Sequence, residues 1–60
     1  MLNPMKVDII DVMIDDLKRF RKKIVVARAM SDNPRTVGYL DTIIEETDLY
    51  INVLKDATID

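Results

Sequence analysis

Two pairs of neighbouring carboxylates come nearest to a catalytic or metal-binding set in this sequence. They are Asp15-Asp16 and Glu45-Glu46, and paired carboxylates can act as general acid and base or ligate a divalent cation. Adjacent residues of a helix point about 100° apart, so neither pair converges on one point. The chain has no histidine and no cysteine, which removes the commonest zinc ligands and the usual general base. We therefore expect no enzymatic activity, no metal and no cofactor.

A run of basic residues from Lys18 to Lys23 is the second candidate for chemistry. Clusters of lysine and arginine bind the phosphate backbone of nucleic acids. A helix distributes such a run around its circumference, and Phe20 and Arg21 are expected to face the neighbouring helix. Four side chains then remain for an RNA or DNA ligand: Lys18, Arg19, Lys22 and Lys23. A solvated helix face is the simpler interpretation, and nucleic-acid binding is the alternative.

Length and composition predict one small helical domain over residues 1–60. The single glycine, the two prolines and the many helix-forming residues favour an all-α chain. A chain of this length buries only about 60% of its unfolded surface. Small folds without disulfides usually depend on a metal or on oligomerisation. By elimination we expect self-association or a protein partner.

The distribution of apolar residues predicts a cytoplasmic location and no membrane contact. No apolar run approaches the ~18 residues of a membrane span. The N-terminus lacks a basic region followed by an apolar block, so no signal peptide is expected. The net charge of −2 gives no general attraction to nucleic acid or anionic membranes.

Two Asn-Pro pairs predict where two helices begin. Asparagine is a favoured N-cap, and proline is favoured at the first helical position. Asn3-Pro4 predicts helix 1 over about 4–30, and Asn33-Pro34 predicts helix 2 over about 35–56, with a loop at 31–34. Asp32 is an alternative cap for the second helix. A connection this short makes the two helices antiparallel neighbours.

Each predicted helix has an apolar stripe whose spacing alternates between three and four residues. This spacing is the a/d pattern of a packed helical seam. The stripes comprise Ile10, Met13, Leu17, Phe20, Ile24 and Ala27 in helix 1, and Val37, Leu40, Ile44, Thr47, Ile51 and Leu54 in helix 2. All six layers close in one antiparallel register, which opposes Ile10 to Leu54 and Phe20 to Ile44. The fold class is therefore an all-α antiparallel hairpin.

Charges along one edge of the seam support the same register. Arg21 is expected near Asp48, and Arg28 near Asp41. Exposed pairs of this kind contribute about 0.2–1 kcal/mol each. They therefore specify orientation more than stability.

A second apolar stripe follows the other edge, where the seam cannot bury it. A helix with two apolar faces usually packs against two neighbours. We expect this stripe to form a two-fold homodimer, a four-helix bundle, or to bind another protein. Its members are Ile9, Val12, Val26, Met30, Tyr39, Ile43, Glu46, Tyr50, Val53 and Ala57, with Leu49 as a possible additional partner contact.

The helix 1 part of this stripe is expected to be charged in the middle, at Asp16, Arg19 and Lys23. Glu46 is expected near Arg19 or Lys23 of the other subunit. Tyr39 and Tyr50 are the expected energetic anchors, since aromatic residues dominate interfaces.

These features favour a small non-enzymatic protein–protein interaction module: a regulator, inhibitor, assembly chaperone or adaptor. Such a module would suit a bacterial or phage accessory protein. In length and plan the chain resembles the Rop type of RNA-binding helical hairpin dimer. This resemblance is one of architecture, with no matching residues, and it implies the nucleic-acid alternative through the four basic residues. A purely structural oligomerisation module is the third possibility.

Overall fold

The computed structural model describes residues 8–57, which form two helices and a short connection. Helix α1 spans Ile9–Met30 and helix α2 spans Pro34–Ala57. The described residues form no strand. Arg28, near the end of α1, pairs with Asp41 in the first half of α2, whereas Arg21, earlier in α1, pairs with Asp48 further along α2. The helices are therefore antiparallel, and the expected all-α hairpin is confirmed. Neither helix has a stretch with the length and hydropathy that a bilayer span requires.

Helix α1 begins at Ile9, later than the start predicted at Pro4 or Met5. Asp8 has an extended backbone, with φ −70° and ψ 136°. Its Oδ1 accepts a hydrogen bond from the N–H of Ile10 at 3.0 Å, so Asp8 is the N-cap. Its carboxylate also lies at the favourable end of the helix dipole. The Asn3-Pro4 pair lies outside the described residues.

Helix α2 begins at Pro34, as the second Asn-Pro pair predicts. The Oδ1 atom of Asn33 accepts hydrogen bonds from the N–H of Arg35 at 2.9 Å and of Thr36 at 3.4 Å. Asn33 rather than Asp32 is therefore the N-cap. The helix ends at Ala57, one or two residues beyond the predicted end.

The predicted ion pairs across the hairpin are present and confirm the register. The Nε of Arg21 donates to Oδ1 of Asp48 at 2.6 Å. Arg28 donates to Asp41 from both Nε and Nη2, the second bond measuring 3.4 Å to Oδ2. Both pairs are separated by seven residues on each helix, so one antiparallel register satisfies both.

The face of α1 that contacts α2 differs from the predicted seam. Ile14 is buried and Arg21 is half-buried, whereas Met13 and Phe20 are each 45% exposed. The helix is thus turned by roughly half of the 100° between successive residues. This turn brings Ile14, Arg21 and Arg28, which repeat every seven residues, against α2. In this orientation the side chain of Ile14 and the aliphatic parts of Arg21 and Arg28 lie beside α2, and both ion pairs can form. The predicted placement of Met13 and Phe20 in the seam is therefore wrong.

The remaining seam residues behave as predicted, except for one small side chain. Ala27 is exposed, because it follows Met13 and Phe20 at seven-residue intervals and turns away with them. Seven other seam members are half-buried: Ile10, Leu17, Ile24, Val37, Leu40, Ile44 and Leu54.

The core of the hairpin is thin. Over residues 8–57 only Ile14, Thr47 and Ile51 are buried, and no side chain there is fully enclosed. The hydroxyl of Thr47 donates to the carbonyl oxygen of Ile43 at 2.7 Å, so this buried polar group is satisfied. The Cα trace is only 10 Å deep along its shortest axis. The hairpin is therefore a single layer of helices with two open sides.

Gly38 weakens α2 without a structural need for glycine. No glycine among the described residues has a positive φ, and a Cβ placed on Gly38 has nothing within 4 Å. We predict that Gly38→Ala raises the free energy of unfolding by about 0.5–1 kcal/mol, because alanine loses less backbone entropy in a helix. Urea unfolding at fixed protein concentration measures the change. Gly38→Pro is the opposite control, and a destabilised Gly38→Ala variant would contradict the prediction.

Candidate interaction surface

The two open sides of the hairpin have different chemistry. In an antiparallel pair, corresponding edges of the two helices meet, so each side contains residues from both. One side carries the Arg21–Asp48 and Arg28–Asp41 ion pairs, and we call it the charged face. The other side carries aromatic and aliphatic residues, and we call it the open face. It comprises Ile9, Met13, Asp16, Phe20, Lys23, Ala27, Tyr39, Ile43, Tyr50 and Ala57, with Val12, Met30, Glu46 and Val53 along its outer edges.

The α2 half of the open face matches the second stripe predicted from the sequence. Tyr39, Tyr50 and Val53 are each more than half exposed, and Ile43 is half-buried at the boundary with the seam. Two tyrosine rings therefore stand on one side of a helix with nothing in the described hairpin covering most of their surface.

The α1 half is more apolar than the sequence predicted. Ile9, Val12 and Met30 are exposed as expected. Because α1 is turned, Met13 and Phe20 also lie on the open face, although the a/d spacing predicts them in the seam. Phe20 now lies in the middle of the α1 half, where a charged patch had been expected. The sequence does contain a signal for this rotation of α1. Ile14, Arg21 and Arg28 repeat every seven residues, each one position after a member of the predicted stripe.

Two residues of the predicted partner surface lie elsewhere on the hairpin. Val26 is two residues from both Ile24 and Arg28, which face α2, so it points away from α2 on the outer side of α1. Leu49 is 58% exposed and is two residues from Thr47 and Ile51, so it occupies the outer side of α2. Neither residue belongs to the open face.

The charges of the open face are arranged unequally. Arg19, on the outer side of α1, donates from Nη2 to Asp15 Oδ2 at 2.9 Å and from Nη1 to Asp16 Oδ1 at 3.5 Å. Of the two exposed contacts that Arg19 makes, the one with Asp16 is therefore the longer and weaker. Within residues 8–57, Lys23 and Glu46 make no ion pair of their own. Asp16 and Lys23 can consequently accept a partner from outside the hairpin.

The structure separates the four basic residues proposed for nucleic acid. Lys18 and Lys22 line a shallow groove of the charged face, together with Arg21 and Val25. Arg19 is occupied by two carboxylates on the outer side of α1. Lys23 lies on the open face. The cluster is continuous in sequence but forms no continuous basic surface.

The carboxylates likewise form no converging set. A shallow groove on α1 is lined by Asp11, Asp15 and Asp16, but Arg19 lies in the same groove and pairs with two of them. Among residues 8–57 no group of three or more histidine, cysteine, aspartate or glutamate side chains is placed to hold a metal ion.

Comparisons with known proteins add no family to this description. No protein-family model, curated protein or solved structure matches the chain.

We predict that the chain does not bind nucleic acid with a steep salt dependence. Lys18 and Lys22 are the only two of the four basic residues that lie side by side without an ion pair in the described structure, and two phosphate contacts give a shallow slope. Fluorescence anisotropy with a labelled RNA hairpin and a DNA duplex, from low salt to about 0.15 M, tests this. The Lys18→Glu, Lys22→Glu double variant is the matched control. Tight binding that this variant abolishes would contradict the prediction.

Proposed function

We propose that this protein is a non-enzymatic protein–protein interaction module that acts through its open face. It works as a homodimer in which two hairpins form a four-helix bundle. The observation that carries the proposal is the exposure of aromatic residues from both helices, Phe20, Tyr39 and Tyr50, on the same side of a hairpin that encloses no side chain fully. Roles that need a compact helical module, such as regulator, inhibitor, assembly chaperone or adaptor, fit this description.

The energetics support association through this side. An aromatic side chain buries about 150–250 Å² when covered. The three rings are each about half exposed, so together they leave on the order of 300 Å² to be buried. Each large apolar side chain that moves from full exposure to burial contributes about 1.5–3 kcal/mol. A single layer of two helices has few other sources of stability, so covering this face is its largest available gain.

The charged face is a weaker candidate for the same role. Its central arginines are already neutralised by Asp48 and Asp41. Its apolar content in the described structure is small, with Val25 the exposed large apolar residue beside the lysines. Covering the charged face would desolvate its ion pairs, which costs free energy, whereas covering apolar rings is favourable.

Tyr50→Glu tests the proposal, with Leu49→Glu as its matched control. The two side chains are adjacent in sequence and are 56% and 58% exposed, so both substitutions perturb the isolated hairpin similarly. Tyr50 points out of the open face, and Leu49 points to the outer side of α2. We predict that Tyr50→Glu converts the dimer to a monomer, and that Leu49→Glu leaves it dimeric.

Sedimentation equilibrium over the micromolar range provides the measurement. The expected mass of the unmodified protein is twice the 6.9 kDa of one chain. A monomer at tens of micromolar would overturn the homodimer. A dimer that both variants leave intact would place the interface elsewhere.

A further inference from the structure

Resting on the homodimer proposed above, we propose a specific arrangement of its two copies. Two hairpins can stack open face to open face with their loops at the same end or at opposite ends. We infer that the loops lie at opposite ends. In this arrangement α1 packs antiparallel to α1 of the second copy, and α2 packs antiparallel to α2.

Charges along α1 are complementary when two copies run antiparallel. Asp16 and Lys23 are seven residues apart, so they project from the same edge of the open face. They flank Phe20, which lies near the midpoint between them. When two α1 helices run antiparallel about a two-fold axis beside Phe20, Asp16 meets Lys23 of the second copy. Two-fold symmetry makes this pair twice, and the two Phe20 rings lie together at the axis.

The same two-fold axis also pairs α2 with α2 of the second copy. Phe20 is ten residues before the end of α1 at Met30, and Ile44 is ten residues after the start of α2 at Pro34. The two residues therefore lie at about the same height, and an axis beside Phe20 crosses α2 beside Ile44. Tyr39 and Tyr50 lie almost equally far on either side of that point. Each Tyr39 therefore meets Tyr50 of the second copy, again twice. Aromatic pairs of this kind favour association beyond their buried area.

The charge of Glu46, on the outer edge of α2, is not buried by this arrangement. Glu46 is two residues from Ile44, which faces α1, so it points outward and remains in water. There its charge and that of its copy are screened by solvent and salt. The arrangement thus leaves no charge of the open face buried without a partner.

The alternative arrangement, with loops at the same end, is less complementary. It places α1 against α2 of the second copy at the same heights as within the hairpin. Lys23 and Glu46 of the second copy then have the same offset along the helices as Arg21 and Asp48 within the hairpin, so they can pair, but Asp16 gains no lysine or arginine of the second copy. The alternative therefore gives a partner to one of the two open-face charges of α1, whereas the opposite-end arrangement gives a partner to both, and it keeps Tyr39 apart from Tyr50 of the second copy.

Charge reversal at the two α1 positions tests the arrangement. In Asp16→Lys, two lysines oppose each other twice, and in Lys23→Asp, two aspartates do so. We expect each variant to dimerise more weakly, by about 2- to 30-fold in Kd at low salt. Mixing the two variants restores two opposite-charge pairs in the heterodimer, so native mass spectrometry should show more than the statistical half of dimers as heterodimer. A statistical mixture would overturn the arrangement.

A distance measurement gives an independent readout. Asp32→Cys introduces a cysteine into the connection of a chain that has none, and a nitroxide label there reports the separation of the two loops. The 22 residues of α1 span about 33 Å, so loops at opposite ends are more than about 30 Å apart. A label separation below about 20 Å in an intact dimer would overturn this arrangement and leave the proposed function standing. A monomer would overturn both.

Discussion

The pairing of two arginines on α1 with two aspartates on α2 determines how the rest of the hairpin is arranged. Arg21 and Arg28 reach Asp48 and Asp41 along one edge. These side chains are partly exposed, so the pairs contribute modest free energy. Their effect is directional, because they fix the register and turn α1 toward its charged edge. The turn buries Ile14 and exposes Met13 and Phe20 on the opposite side.

A single layer of two helices has one line of contact, and this limits what it can bury. Each helix encloses only the strip that faces its neighbour. Among the described residues only Ile14, Thr47 and Ile51 are buried in that strip. The remaining aromatic and aliphatic residues lie on the open face or on the outer sides of the helices. The homodimer that we propose would cover these residues and complete the core.

The same helical geometry explains why the conspicuous sequence clusters do not form continuous surfaces. Successive residues of a helix point about 100° apart, so a run such as residues 18–23 is divided among all sides of α1. Lys18 and Lys22 remain together, whereas Arg19 pairs with Asp15 and Asp16 and Lys23 joins the open face. Residues seven apart, such as Asp16 and Lys23, share an edge instead. Recognition by a helical hairpin depends on those longer spacings.

The sequence by itself determined the two helices, the Asn33 cap of α2, the antiparallel register, both inter-helix ion pairs and the α2 half of the open face. These features depend on local capping and on periodicity within one helix, which a sequence displays directly. The tertiary structure decided the rotation of α1, and the structure also places the start of α1 at Ile9, after the Asp8 cap. Rotation follows from a competition between two neighbouring stripes, one through Met13 and Phe20 and one through Ile14 and Arg21. Only the helix packed opposite decides it, because ion pairing with α2 favours the second stripe.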